Sequence, residues 1–112
     1  MAILARIAAG ALVFFGVVHA ALTGRNYQIS SAEALWFAGT GIMLIAAGLL
    51  TLSATMPGAR IARVSSVIVN LLGFTLAVFA VPVLQQPHVY LLILFFVLAL
   101  IGISVLLFKA PA

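Results

Sequence analysis

The sequence predicts an all-α integral membrane protein, an antiparallel bundle of four transmembrane helices joined by short loops. Two observations carry this prediction. Of the 112 residues, 67% are hydrophobic and only 5% are charged, whereas a soluble domain has about a quarter of its residues charged. In addition, four apolar windows follow one another along the chain, each with the roughly 20 residues needed to cross a hydrocarbon core.

The first predicted helix covers about 3–22 and the second about 34–54. The segment 23–31 between them is rich in polar residues that favour water. Arg6, the apolar run after it and Val18-His19-Ala20 also fit a signal-peptide pattern. We interpret this first segment as a membrane helix.

The third predicted helix covers about 64–83 and the fourth about 89–108. Met56-Pro57-Gly58 is a turn signal that ends the second helix and reverses the chain. Gln85-Gln86-Pro87-His88 separates the last two helices, and Pro87 suits a first helical position. Because these links are short, consecutive helices are expected to be antiparallel neighbours within a single transmembrane domain, 1–112.

The basic residues predict an orientation. One side of the predicted bundle holds four of them, and the other holds only Arg25, which Glu33 offsets. The positive-inside rule then places both termini in the cytoplasm, and we expect a bacterial inner membrane. This placement at helix ends also explains the net charge of +4 without nucleic-acid binding. The four residues are Arg6, Arg60, Arg63 and Lys109.

The opposite, outer ends of the helices gather the chain's remaining unusual side chains. Such a group could bind a cofactor or a lipid headgroup, but membrane interfaces also favour Trp, Tyr and polar residues for topology alone. The candidate outer-face polar cluster consists of His19, Glu33, Trp36, His88 and Tyr90.

Two features of this cluster favour structural roles. Ser30-Ser31-Ala32-Glu33 fits a capping box with Ser30 as the N-cap and Glu33 bonding back to its amide. His19 and His88 could ligate a haem, but their predicted depths differ by one to two turns and no further metal-ligand pattern supports the pair. With no cysteine and one acidic residue, we predict no catalytic, cofactor-binding or metal-binding residues and no enzymatic activity.

Asn70 is the deepest strongly polar side chain and is therefore a candidate intramembrane site. An unpaired amide in hydrocarbon costs several kcal/mol, so Asn70 is expected to face protein. Gly10, Gly48 and Gly102 fall at nearly the same predicted depth. These residues could form a tight waist in which Asn70 bonds an exposed carbonyl, or Asn70 could be a polar step in a permeation path.

Small residues recur at helix-packing spacing, in Gly16-xxx-Ala20-xxx-Gly24 and again in Ala34-xxx-Ala38. Close backbone approach drives helix association in lipid, so these stripes serve either intramolecular packing or an oligomer seam. The bulky run 91–96 of the fourth helix is typical of a surface that faces lipid or a partner.

In length and helix count the chain resembles the small multidrug resistance transporters, whose first helix carries a carboxylate. The window 3–22 contains no acid. Val69-Asn70-Leu71-Leu72-Gly73 resembles the Asn-xx-Gly segment of small fluoride channels, but their Phe- and Thr-rich signature is missing. No site residue carries over from either family.

These observations predict a small non-enzymatic membrane protein without cofactors, a structural or accessory subunit that packs against itself or a larger membrane complex. Its expected partners are membrane lipid and either further copies or other subunits. Two alternatives remain open at this point. One is a small homo-oligomeric transporter or channel, and the other is a binder of a cofactor or lipid headgroup at the outer face.

Overall fold

The computed structural model describes residues 1–23, 31–84 and 87–109. This part of the chain contains four α-helices, each long and apolar enough to cross a membrane, which confirms the predicted helical class. The predicted bounds agree with the structure to within two residues, except that the third helix begins four residues earlier than predicted. The helices are α1 (Ala2–Ala21), α2 (Ala32–Ser53), α3 (Arg60–Leu84) and α4 (Pro87–Lys109).

The early start of α3 follows from the turn that precedes it. Gly58 has a φ of 73°, a left-handed conformation that glycine adopts without steric cost. This turn lets the helix begin at Arg60, two residues later. The predicted helix begins at Val64, where the apolar window begins. In the structure the helical backbone extends further towards the N-terminus and includes the basic residues Arg60 and Arg63.

The start of α2 corrects the predicted capping box. Ser31 is the N-cap, and its Oγ accepts a hydrogen bond from the amide of Ala34 at 3.1 Å. Ser30 lies outside the described residues. With the cap at Ser31, Glu33 occupies the second helical position instead of the third, so it cannot complete the predicted box. Its negative charge still lies in the first turn, where the helix dipole favours it.

The helices pack in a closed order in which α1 contacts α2 and α4, and α3 contacts α4 and α2. The α1–α2 interface is the most extensive of the four, and the α2–α3 interface is the smallest. Residue numbers rise along one helix while they fall along its neighbour. On α1, for example, Gly16 meets Gly41 of α2, whereas the earlier Ala9 meets the later Gly48.

Two apolar clusters form the core. The larger one joins all four helices and includes Leu12, Leu44, Ala77 and Phe96. The smaller one lies near the start of α1, with Ala5, Ala54 and Ile103 as its buried members.

The sequence suggested that the bulky run 91–96 of α4 forms a single outward surface. The structure shows that it does not. Leu92 and Phe96 are buried, whereas Leu91 and Leu94 are exposed. Phe96 packs so closely on Gly73 of α3 that a Cβ at that glycine would overlap the ring. The run is therefore divided between the core and the outer surface of the bundle.

The α1–α2 interface depends on glycine. A Cβ built on Gly16 would lie 2.6 Å from the carbonyl oxygen of Gly41, and one built on Gly41 would lie 2.8 Å from the amide nitrogen of Ala20. A Cβ on Gly48 would lie 2.7 Å from the carbonyl oxygen of Ala9. Because the two backbones meet directly, no side chain fits between them. Gly16 and Ala20 of the predicted stripe thus serve intramolecular packing, and Gly24 lies outside the described residues.

Candidate functional site

A buried polar cluster links α2 to α3 and consists of Thr51, Ser66 and Asn70, all of which have an exposed fraction of 0%. Asn70 Nδ2 donates to Thr51 Oγ1 at 2.9 Å and lies 3.0 Å from Ser66 Oγ. The two hydroxyl oxygens are 3.1 Å apart, and Thr51 Oγ1 also donates to the carbonyl of Ala47 at 2.7 Å. The sequence identified Asn70 as facing protein, and it does.

The orientation of the Asn70 amide is fixed by the backbone. Nδ2 also donates to the carbonyl oxygen of Ser66 at 2.8 Å, and a carbonyl can only accept. Oδ1 therefore occupies the other position, where it is buried without a hydrogen-bond partner among the described residues. An unsatisfied buried acceptor costs about 1–3 kcal/mol. The cluster is thus well bonded on its donor side and incomplete on its acceptor side.

The predicted glycine waist is only partly present. Gly48 approaches α1 closely, and a Cβ on Gly102 would lie 3.0 Å from the amide nitrogen of Ala5. Gly10, in contrast, is exposed and has nothing within 4 Å of its built Cβ position. Asn70 bonds the hydroxyls of Thr51 and Ser66 as well as a carbonyl of its own helix, so the glycines do not supply its partner.

Arg63 joins three helices at one end of the bundle. Its Nε donates to the carbonyl of Ala54 at 2.9 Å, Nη2 to Met56 at 3.2 Å and Nη1 to Leu106 at 3.3 Å. The last carbonyls of a helix have no intrahelical partner and carry partial negative charge, so a cation stabilises them. Ala54 is the C-cap of α2, and Leu106 lies in the last turn of α4. Sequence analysis had treated Arg63 only as a topology signal.

Arg6 lies at the same end of the bundle, where its Nε donates to Thr55 Oγ1 at 3.1 Å. This bond ties α1 to the turn that follows α2. We call this end, which carries Arg6, Arg60, Arg63 and Lys109, the basic end.

The opposite end carries the five residues of the predicted outer cluster. His19 stacks on Phe37 with ring centroids 3.7 Å apart and an interplanar angle of 19°. His19 lies in the last turn of α1 and His88 in the first turn of α4, so both belong to this end of the bundle. Glu33, Trp36 and Tyr90 are exposed. Within the described ranges, no three His, Cys, Asp or Glu residues are arranged to hold a metal ion.

The outward face of α2 is a second feature that sequence analysis missed. Four small residues recur along it at intervals of seven, and every one of them is exposed. Seven residues make about two helical turns, so they form one continuous row. Gly39 has nothing within 4 Å of its built Cβ position. We call this the small row of α2, and it consists of Ala32, Gly39, Ala46 and Ser53.

No protein-family model matches this chain, and no curated protein or solved structure matches it either.

Proposed function

We propose that this chain is a non-enzymatic integral membrane protein, an antiparallel four-helix bundle that serves as a structural or accessory subunit. The length and apolar character of all four helices support the membrane assignment. The opposed numbering of contacts between neighbouring helices supports the antiparallel arrangement. By the positive-inside rule, the basic end and both termini face the cytoplasm of a bacterial inner membrane.

The small row of α2 carries the proposal that this protein is a subunit. Apolar side chains gain nothing by leaving lipid for protein, so helices associate in membranes where small residues let backbones approach. Gly16 and Gly41 do this inside the bundle, and the small row offers the same chemistry on the outside. A parallel row of exposed bulky residues lies beside it at the same spacing, formed by Leu35, Ile42 and Leu49.

Together the two rows form a ridge and a groove on one helix. Ridges that pack into grooves are the usual geometry of helix–helix interfaces. The face is therefore suited to a helix from a further copy of this chain or from another membrane subunit. Packing on this face depends on complementary shape and needs no reactive side chain, in agreement with the non-enzymatic role.

The test is native mass spectrometry of the protein extracted gently from its own membrane. We expect either co-purifying polypeptides at a fixed ratio or a homo-oligomer. Gly39→Leu fills the small row and should abolish the association while the helical content is retained. Gly10→Leu is the matched control, because Gly10 is an equally open glycine on the exposed face of α1. A monomer without partners would contradict the proposal.

A second candidate is a small homo-oligomeric transporter or channel, favoured by the unpaired Oδ1 of Asn70. An acceptor left open inside the bundle could receive a hydrogen bond from a passing solute or water. In this case His19 and Glu33 would be further polar steps. Asn70→Leu separates the two candidates. If the protein is a structural subunit, the substitution lowers its stability, and no solute flux is measured before or after the change. If it is a transporter, the substitution abolishes solute flux while the protein remains folded.

A further inference from the structure

The positive charges of the basic end are not balanced by any acidic side chain of this sequence. The sequence contains a single acidic residue, Glu33. Glu33 lies in the first turn of α2, and the C-cap of that helix, Ala54, belongs to the basic end through its bond with Arg63. At a rise of 1.5 Å per residue, the two ends of α2 are separated by about 30 Å. Glu33 therefore lies too far away to pair with the cations of the basic end.

The four cations of this end differ in how much of their hydrogen-bonding capacity is used. Arg63 uses all three nitrogens on carbonyl groups. Arg6 uses only Nε toward the described part of the chain, which leaves its two terminal nitrogens without a partner there. Arg60 and Lys109 are exposed, and neither has a recorded hydrogen bond or ion pair with the described part of the chain. Arg63 is thus a structural residue, and the other three can bind a ligand.

Arg63 also joins α3 to α4, the two helices that carry the exposed cations Arg60 and Lys109. Its bond to Leu106 places the start of α3 beside the end of α4. Arg60 precedes Arg63 by three residues and Lys109 follows Leu106 by three, so each lies about one turn away on the same side of its helix.

A shallow apolar groove of about 370 Å³, wide open to its surroundings, borders Lys109 on α4 and is lined also by Ser104, Val105 and Phe108. Phe108 is 85% exposed beside it. Charge and apolar surface therefore meet at one edge of the bundle. This combination matches an amphiphile with an anionic head and a hydrocarbon tail, and a fully soluble anion would use only the cations.

We infer that the basic end binds anionic phospholipid, with the phosphate held by Arg60 and Lys109 and an acyl chain lying along the groove of α4. Basic residues next to membrane helices attract anionic headgroups in this way, and each contributes about fivefold in binding. The terminal nitrogens of Arg6 offer a further contact. This inference does not depend on the proposed association through α2, because the two surfaces share no residue.

The experiment measures which phospholipids stay bound to the full-length protein when it is transferred from mixed vesicles of phosphatidylglycerol and phosphatidylcholine into detergent, by native mass spectrometry. We expect phosphatidylglycerol to be retained preferentially. Combining Arg60→Gln with Lys109→Gln should lower that preference by about 25-fold, since two phosphate contacts worth about fivefold each are lost. Equal retention of the two lipids by the unmodified protein would overturn the inference.

Two controls define the site. Arg25→Gln also removes one positive charge but belongs to the segment that connects α1 with α2. It should leave the preference unchanged, and a loss equal to that of Lys109→Gln alone would show that only net charge matters.

Inorganic phosphate added in place of the anionic lipid should not raise the melting temperature. Stabilisation by phosphate equal to that by phosphatidylglycerol would assign the site to a free anion instead.

Discussion

The two interfaces of α2 are built in different ways. Towards α1, the helix presents Gly41 and Gly48, and backbones meet at distances that exclude any side chain. Towards α3, it presents Thr51, which shares hydrogen bonds with Ser66 and Asn70. The first interface is the most extensive in the bundle and the second is the smallest.

The two interfaces show two ways in which helices can associate within lipid. In lipid, apolar side chains alone give helices no reason to associate, so contact must come from tight packing or from polar bonds. Tight packing acts along a whole interface because many atoms gain dispersion contacts at once. A polar cluster acts at one level of the bundle and fixes register there. We therefore expect glycine substitutions to be costlier than substitutions in the polar cluster.

The largest effect is expected for Gly41→Ala. The added Cβ would lie 2.8 Å from backbone atoms of α1, which cannot rotate away. Overpacking of this kind costs about 1–3 kcal/mol, measured as a fall in unfolding free energy in detergent. Gly10→Ala is the control, because its Cβ position is open and it lies outside the small row of α2. An equal loss at both glycines would mean that helix propensity, and not backbone contact, governs this interface.

An intermediate effect is expected for Asn70→Leu. The substitution removes the donors that bind Thr51 and Ser66, but it also removes the unpaired Oδ1. Interhelical polar contacts in membranes average about 0.6 kcal/mol and reach about 1.7, so we expect a loss within that range. The same unfolding assay measures it. A loss larger than that of Gly41→Ala would reverse the ranking of the two interfaces.

The smallest effect is expected for Thr51→Val, compared with Thr40→Val on the same helix. Thr51 bridges to α3, whereas Thr40 Oγ1 donates to the carbonyl of Trp36 in its own helix. Asn70 would keep its bonds to Ser66 after the change. We expect Thr51→Val to cost about 0.6 kcal/mol and Thr40→Val to cost less. Equal values would indicate that the hydroxyl of Thr51 does not contribute across the interface.

The sequence alone was enough to place the four helices and most of their ends. Helix length and hydropathy are local properties, so four apolar windows were sufficient to place α1 to α4, and charge placement was sufficient to distinguish the two ends. It also determined that Asn70 must face protein, because an amide exposed to hydrocarbon is too costly. The position of the Ser31 cap and the start of α3 could not be predicted from the sequence, since both depend on the backbone of short turns.

Which face of each helix turns inward depends on the tertiary structure. Gly41 and Gly39 are two residues apart on α2, yet the first is packed against α1 and the second is open. Phe96 and Leu94 divide the bulky run of α4 in the same way. The reason is that lipid and protein interior are both apolar, so hydrophobic periodicity does not mark the buried face of a membrane helix. Helix rotation is set by which backbones can approach and which polar groups can pair, and both depend on residues distant in sequence.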